Sequence, residues 1–481
     1  MAEQNTLSDL NSRREKHVSQ DREIYRLSVA LLALLLITGC AHYPANQRLK
    51  EYNADTGYRA KNMRVPGKSD DMLLFLTFSG GGTRAAAFSY GVLEALANTE
   101  IVSEGKHRRL LDEVDTISSV SGGSFTAGYY GLFGDRIFQD YESRFLKRNV
   151  QGELLAKVFN PVNVVRLLSP YFDRSDLAAE YYDRYIFNGG TIGDIAARKG
   201  PMIIINATDM TYGVRVGFTQ DTFDIICSDL TNFRVARAVA ASSAVPIILS
   251  PLTVRNYAGS CNYTMPEPIE RVLKENDIAE RRFYLVNNIK PYLDSEKKPY
   301  LHLIDGGVAD NLGLRAIVDR IIFRGDFWRT IRNTHHENVH KIVFFVVNAE
   351  TEPDSRWDQM ESPPALAAML ESYSTIAIER YNVETIALLK ENLKEWTEQI
   401  RSQRCIGETV STAPGSCGDI QFYIIEVKFD ALKNETERLY FKRLSTSFAL
   451  APEDVDSLRA AANRILTESE EFQRLLRDLK R

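Results

Sequence analysis

Buried-strand patterns alternate with helical patterns along the middle of the chain. Apolar runs rich in Val, Ile, Leu and Phe occupy residues 73–78, 114–120, 202–207, 300–304 and 342–348. Several are followed by apolar residues at helical spacing, the order expected of strand–helix–strand units with parallel strands. Right-handed crossovers between such strands place helices on both faces of one sheet. The pattern therefore predicts an α/β fold, a three-layer α/β/α sandwich with a mostly parallel central sheet.

This main domain is expected to span residues 71–350 and to carry two insertions. The first, near 135–200, is helical and rich in aromatic residues. Most of these aromatic side chains are expected in the core, and the rest are candidates to line an acyl-chain channel or to form a lid. The second insertion, near 255–299, is polar and indicates a surface segment.

The region after the main domain, residues 351–481, has a different pattern. It predicts a long charged helix near 376–402, a strand at 421–429 and a terminal helix from about residue 452. We therefore expect a mainly helical C-terminal extension packed on the main sheet.

The N-terminal region has the pattern of a signal peptide. Several basic residues precede an apolar run at 27–40 that is shorter than the roughly 20 residues of a membrane-spanning helix. Its last four residues, Ile37-Thr-Gly-Cys40, resemble the lipobox of bacterial lipoproteins. The resemblance implies that residues 1–39 are removed and that Cys40 carries acyl chains. Residues 40–70, which are polar and without sustained period, then form a tether.

A lipid anchor at Cys40 implies a location in the cell envelope. The residue after it is Ala41, whereas an Asp at that position retains lipoproteins in the inner membrane. We therefore expect the outer membrane or the periplasmic face. A net charge of −5 over 481 residues gives no indication of nucleic-acid binding, and the oligomeric state is open.

The cysteines fit an oxidising compartment. Apart from Cys40 the chain has Cys227, Cys261, Cys405 and Cys417, which allow three disulfide connectivities. Pairing Cys405 with Cys417 is the most local choice, and four unpaired thiols remain an alternative. No spacing of Cys, His or acidic residues indicates a zinc or calcium site, so neither metal nor cofactor is expected.

The candidate chemistry begins at two strand ends. Ser121 follows the second apolar strand in Ser119-Val-Ser-Gly-Gly123, a variant of the nucleophile elbow Gly-x-Ser-x-Gly in which Ser119 replaces the first glycine. A serine in that tight turn projects from the backbone at the positive end of the next helix. The sequence therefore predicts Ser121 as a nucleophile.

A glycine loop ends the first strand. Gly80, Gly81 and Gly82 can turn backbone N–H groups into one cavity and stabilise an oxyanion, with Arg84 beside them. The alternative, a dinucleotide-binding Gly-x-Gly-x-x-Gly turn, needs glycine where Ala85 stands. Arg84 opposes the helix dipole, which indicates a local role in fixing the loop or in binding an anionic headgroup.

The candidate base is Asp305. It ends the 300–304 strand and is followed by two glycines, so we expect it at the same sheet edge as Ser121. A buried carboxylate can accept the proton of a serine hydroxyl directly. A Ser-His-Asp triad remains the alternative, although His302 is expected to face away from Asp305. His335, His336 and His340 fall in a polar loop and are expected to be solvated.

Together these pieces resemble the patatin-like phospholipases, lipid acyl hydrolases with a Ser-Asp dyad. Two further stretches resemble the family, Asn206-Ala-Thr-Asp209 and Ala241-Ser-Ser-Ala-Val-Pro246. The resemblance covers about residues 72–350. It implies that Ser121 is the nucleophile, that Asp305 is the base and that Gly80, Gly81 and Gly82, with Arg84 beside them, form the oxyanion loop.

The expected function is therefore hydrolysis of acyl esters of phospholipids or lysophospholipids at a membrane surface. Two alternatives stay open: a catalytically silent lipoprotein that binds lipid or a partner protein, and a general carboxylesterase. Fold alone does not decide between them.

Overall fold

The computed structural model describes residues 22, 24–26, 28–29, 41–245, 248–278, 280–352 and 358–480. The predicted lipobox and Cys40 lie outside the described residues. No helix in the described part of the chain combines the length and apolarity needed to cross a bilayer.

The strands have the following bounds: β1 (Gln47–Arg48), β2 (Met72–Phe78), β3 (Glu100–Ser103), β4 (Lys106–Arg109), β5 (Val114–Val120), β6 (Met202–Asp209), β7 (Arg215–Gly217), β8 (Ser228–Asp229), β9 (Leu252–Arg255), β10 (Tyr300–Ile304), β11 (Lys341–Asn348) and β12 (Gln421–Lys428).

The helices have these bounds: α1 (Gly82–Ala97), α2 (Gly122–Phe133), α3 (Ile137–Tyr141), α4 (Val150–Val158), α5 (Pro161–Arg166), α6 (Arg174–Tyr182), α7 (Ile192–Arg198), α8 (Gln220–Phe223), α9 (Val235–Ser242), α10 (Glu267–Glu275), α11 (Arg281–Asn287), α12 (Gly307–Asp310), α13 (Arg315–Arg324), α14 (Phe327–Asn333), α15 (Leu366–Arg404), α16 (Glu435–Arg443), α17 (Pro452–Glu468) and α18 (Glu470–Asp478).

One sheet organises the molecule, with strand order β12-β11-β2-β5-β6-β10-β9 in the described residues and β7 paired to β6. The first five strands of that order are parallel. Side chains alternate between the two faces because the strand period is two: in β11, Phe344 belongs to the buried cluster that includes residues of α13, α14 and α15, whereas Phe345 belongs to the cluster on the other face, with its ring 6.0 Å from that of Phe472 in α18. The three-layer sandwich with a mostly parallel sheet is confirmed.

Strand β10 differs from the expected parallel strand. It pairs antiparallel with both β6 and β9, with Leu303 opposite Asp209 and Ile304 opposite Thr208. A short apolar run indicates a buried strand but not its direction, because direction depends on the path of the preceding insertion.

The C-terminal region is part of the sandwich. Strand β12 lies parallel to β11 at the sheet edge, and α17 packs closely along α1. A β-carbon at Gly91 of α1 would lie 2.7 Å from the carbonyl oxygen of Arg459 in α17. The long helix, the strand and the terminal helix that the sequence predicts are all present.

The segment expected to be a tether is instead packed on the domain over much of its length. Strand β1 pairs with β8, Tyr58 donates a hydrogen bond to the carbonyl of Ile203 in β6, and buried Arg59 pairs with Asp224 at 2.6 Å. The segment is polar because it meets carbonyls and carboxylates at the domain surface, and composition alone did not distinguish this from a free tether.

Two disulfides are present in the described residues. Cys405 bonds to Cys417, which confirms the local pairing. Cys227 bonds to Cys261, 34 residues away in sequence, and thereby ties the segment after α8 to the start of the second insertion.

We expect the Cys227–Cys261 disulfide, which closes the longer loop, to contribute more to the free energy of unfolding than Cys405–Cys417. Crosslinking residues 34 apart constrains the unfolded chain more than crosslinking residues 12 apart. Removal of the two bonds should cost about 4 and about 3 kcal/mol respectively, on the chain-entropy account. Urea unfolding of Cys227→Ala/Cys261→Ala and Cys405→Ala/Cys417→Ala tests this. A larger loss in the second variant would contradict it.

Candidate active site

Ser121 occupies the sharp turn between β5 and α2. Its backbone has φ 47° and ψ −118°, an unfavourable conformation for a residue with a β-carbon. The turn is held by Ser242, whose hydroxyl accepts the Ser121 N–H at 2.8 Å and donates to the carbonyl of Asn206 at 2.6 Å. Ser121 is only 4% exposed, and it stands at the N-terminus of α2, where developing negative charge is stabilised.

The glycine loop lies directly against this turn. A β-carbon at Gly122 would lie 2.0 Å from the carbonyl oxygen of Gly82, so only glycine allows the two backbones to meet there. Gly80 also lies near the turn, because its β-carbon position is 3.3 Å from Cβ of Ser121. The structure therefore brings the two sequence motifs together.

The three loop glycines differ in their available donors. The Gly80 N–H donates to the carbonyl of Asn311 at 3.0 Å. Gly81 and Gly82 have φ of 134° and 58°, and their N–H groups donate to no acceptor within the described residues. Only the latter two are therefore open to a bound oxyanion.

Arg84 lies beneath the loop and is fully buried. Its guanidinium donates to the carbonyls of Ala349, at 3.3 Å, and Leu444. Burial lowers the pKa of Arg84 to about 10, and the charge of Glu379 acts in the opposite direction. The sequence left two roles open for Arg84, fixing the glycine loop or binding an anionic headgroup. The contacts favour fixing the loop, because the guanidinium is buried and donates to backbone carbonyls.

Asp305 reaches Ser121 because β10 runs antiparallel. Val120 pairs with Asn206 and Ile304 pairs with Thr208, so Ser121 and Asp305 come next at the level of the same residue of β6, one from each side. The backbone of Asp305 is held by its N–H to the Ala244 carbonyl, at 3.0 Å. The acid is thus at the expected sheet edge, although it approaches from the opposite direction.

The Asp305 carboxyl is buried and incompletely hydrogen-bonded. Its Oδ1 accepts the Gly307 N–H at 2.7 Å, and its Oδ2 has no hydrogen-bond partner among the described residues. Burial raises the pKa of Asp305 to about 6, against smaller lowering effects of the Gly307 N–H and the Ser121 hydroxyl. Ser121 is thus close enough to act on the carboxyl but forms no well-aligned bond to it, and such bonds often tighten only when substrate binds.

Ser119, which replaces the glycine of the elbow, is accommodated through its hydroxyl. It is buried, donates to the carbonyl of Ile204 at 3.3 Å and accepts from the Ser124 hydroxyl at 3.2 Å. A serine is tolerated at this buried position because its hydroxyl has hydrogen-bond partners.

The structure adds three supporting residues to which the sequence assigned no role. Ser242 holds the Ser121 turn, Asn311 accepts from Gly80, and Thr208 donates to the Asp305 carbonyl at 2.9 Å. Thr208 and Ser242 lie in the stretches that resemble the family, so a signal for these two was present. Their partners were not readable without the fold.

The histidines lie elsewhere. His302 is exposed, and its ring nitrogen contacts Thr253 at 3.2 Å. His336 and His340 are half-buried and pair with Asp115 and Asp71, which corrects the expectation of solvated side chains. None of the described histidines makes a hydrogen bond to Ser121 or Asp305.

Among the described residues no group of His, Cys, Asp or Glu side chains could hold a metal ion. A cavity of about 510 Å³ opens between β6, α11 and α13, under the second insertion. Ser121 and Asp305 do not line it, so it is separate from the serine turn.

Comparisons with known proteins give one family match and several structural neighbours. The patatin-like phospholipase family matches residues 76–318, just over half of the chain. Human GIVD cytosolic phospholipase A2 is a structural neighbour with 12% identity and a TM-score of 0.43. The alignment covers 85% of this chain and 62% of the phospholipase chain, so this chain spans less than two thirds of that neighbour's length. VipD from Legionella pneumophila is another neighbour, with 12% identity and a TM-score of 0.28. That alignment covers 91% of this chain and 70% of the VipD chain. No curated protein is a significant match.

The family match runs from within β2 into α13, so it includes the glycine loop, the Ser121 turn and Asp305. The chain belongs to the patatin-like phospholipase family.

Proposed function

We propose that the chain hydrolyses acyl esters of phospholipids or lysophospholipids with Ser121 as nucleophile and Asp305 as base. Family membership supports a lipid hydrolase. The observation that carries the finer proposal is a buried carboxyl with a pKa of about 6 whose titration is influenced by the hydroxyl of a serine at a glycine-lined turn. Such a carboxylate is ionised at neutral pH and more basic than an exposed one.

In the first step the Ser121 Oγ attacks the ester carbonyl carbon while its proton passes to Asp305. The carbonyl oxygen becomes an oxyanion, and the N–H groups of Gly81 and Gly82 are the donors available to it. Loss of one such donor typically lowers kcat by a factor of about 10² to 10³. Collapse of the tetrahedral intermediate releases the alcohol portion of the lipid, which takes the proton from Asp305, and leaves the acyl group on Ser121.

In the second step Asp305 accepts a proton from water as the water oxygen attacks the acyl carbonyl. Collapse of the second intermediate breaks the bond to Ser121, returns the proton to its Oγ and releases the fatty acid. Asp305 ends ionised, as it began. No histidine takes part in this scheme.

We further propose that Cys40 anchors the protein to a membrane of the cell envelope, at the outer membrane or the periplasmic face. Two disulfides support an oxidising compartment. Two or more acyl chains on one cysteine are sufficient for stable anchoring.

Replacing Ser121 with alanine should abolish hydrolysis. We expect a loss of about four orders of magnitude or more in kcat for lipid esters, because the covalent step is removed. Ser89→Ala, a buried serine two turns along α1 from the glycine loop, is the matched control and should retain activity.

Equal rates for wild type and Ser121→Ala would refute the proposed mechanism. If a fluorophosphonate probe also failed to label folded wild type, the catalytically silent lipoprotein would be favoured. Faster turnover of short soluble esters than of long-chain lipids would favour a general carboxylesterase.

The rate should depend on pH through Asp305. The base acts in its ionised form, so kcat/KM should rise as pH increases through about 6 and level off above it. Burial also raises the pKa of Asp310 to about 6, and Asp310→Asn is therefore the control that should keep this acid limb. If Asp310→Asn loses the acid limb, the limb reports Asp310 and the prediction for Asp305 is wrong.

Ionised Asp305 should also cost stability. Because its folded pKa is raised from 3.8 to about 6, the free energy of unfolding falls as pH rises through that interval. Asp305→Asn removes this cost and should be more stable at pH 7 by up to about 3 kcal/mol, while losing activity. Urea unfolding at pH 7 and pH 4 checks this, since the gain should disappear at the lower pH.

A further inference from the structure

An exposed apolar surface lies on the first insertion. It is formed by six side chains that are between 42% and 76% exposed within 17 residues of sequence. We name it the α4–α5 surface, and its members are Leu155, Phe159, Val162, Val164, Leu168 and Tyr171.

These side chains contribute little to the core. Helix α4 buries only Val150, and α5 buries none of its residues. Single exposed apolar residues are common, but six that lie close together in sequence, on the two helices and in the segments that follow them, mark a surface that meets another apolar phase.

The start of the packed chain is attached to this surface. The Ser169 hydroxyl donates to the Ala41 carbonyl at 2.6 Å, and the Tyr43 N–H donates to the Tyr171 carbonyl at 2.7 Å. The ring of His42 lies on that of Tyr171, with centroids 5.3 Å apart. Cys40 directly precedes Ala41, so acyl chains on Cys40 would leave the protein beside the α4–α5 surface.

The surface is also connected to the serine turn from both ends. At its start, the Gln151 N–H donates to the Phe448 carbonyl, and the neighbouring Ser447 carbonyl accepts the Thr83 N–H of the glycine loop. At its end, the Ser175 hydroxyl donates to the Ser250 carbonyl. The segment containing Ser250 begins at Ala244, which holds the Asp305 N–H. The segments that flank the α4–α5 surface are therefore joined to residues next to the glycine loop and to residues near Asp305.

We propose that the α4–α5 surface docks on a phospholipid bilayer and orients the Ser121 edge of the sheet toward it. The position of Ala41 favours a bilayer over a second copy of the chain, because a lipid anchor at the adjacent residue would bring this surface to the membrane. This proposal rests on the proposed anchor at Cys40 and not on the proposed reaction at Ser121.

Site-specific fluorescence of the full chain tests the orientation. Phe159→Trp places a tryptophan on the surface, and Val102→Trp places one at a residue 44% exposed on the β3–β4 hairpin. That hairpin precedes the amino end of β5, whereas Ser121 follows its carboxyl end. Wild-type emission is subtracted. With phosphatidylcholine vesicles carrying brominated acyl chains, we expect quenching at position 159 to exceed that at position 102 at least threefold.

Activity provides a second measurement. Leu155→Ser/Phe159→Ser should lower hydrolysis of vesicle phospholipid about tenfold and leave hydrolysis of a water-soluble short-chain ester unchanged, because both side chains are more than half exposed and neither is a reacting group. An equal loss on both substrates would contradict docking.

The two proposals can fail separately. Quenching at position 159 should persist in Ser121→Ala. If no form of the protein hydrolyses any ester and quenching persists, the surface stands and the hydrolase proposal fails. Equal quenching at positions 159 and 102 in vesicle-bound protein would refute docking through the α4–α5 surface. So would burial of position 159 in a dimer without vesicles, measured by sedimentation and emission.

Discussion

A contact between two glycine backbones, Gly82 and Gly122, is the constraint on which the serine turn depends. A β-carbon on Gly122 would lie 2.0 Å from the Gly82 carbonyl oxygen. Strands β2 and β5 are neighbours, and this contact lets their two following helices begin side by side. The N-termini of α1 and α2 therefore converge, and the strained backbone of Ser121 is held between them.

Burial makes the carboxyl of Asp305 more basic than an exposed carboxyl. Removing the group from water raises its pKa to about 6 against the Gly307 N–H and the Ser121 hydroxyl, which act in the opposite direction. The unused Oδ2 is the atom without a partner in the described residues. A carboxylate that has little hydrogen bonding gains proton affinity at the expense of folding stability, which is a common compromise where chemistry is performed.

The glycine loop is shaped by residues far away in sequence. Arg84 donates to the carbonyl of Leu444, and the Thr83 N–H donates to that of Ser447 at 2.8 Å. These contacts come from the C-terminal region, whose strand β12 and helix α17 complete the sandwich. The family match ends at residue 318, yet the loop is closed by residues beyond it. A buried guanidinium that donates to two backbone carbonyls fixes the loop, because breaking these bonds would leave buried polar groups without partners.

The sequence by itself determined the local events: apolar runs that become buried strands, glycine-rich turns after them, and the serine and aspartate at their ends. These depend on residues close in sequence, so pattern and turn chemistry were sufficient. Only the tertiary structure decided that β10 is antiparallel, that Cys227 pairs with Cys261, that the segment before β2 is packed and that Gly80 has already used its N–H. Each of these depends on partners distant in the chain, and a linear pattern carries no information about which distant groups will meet.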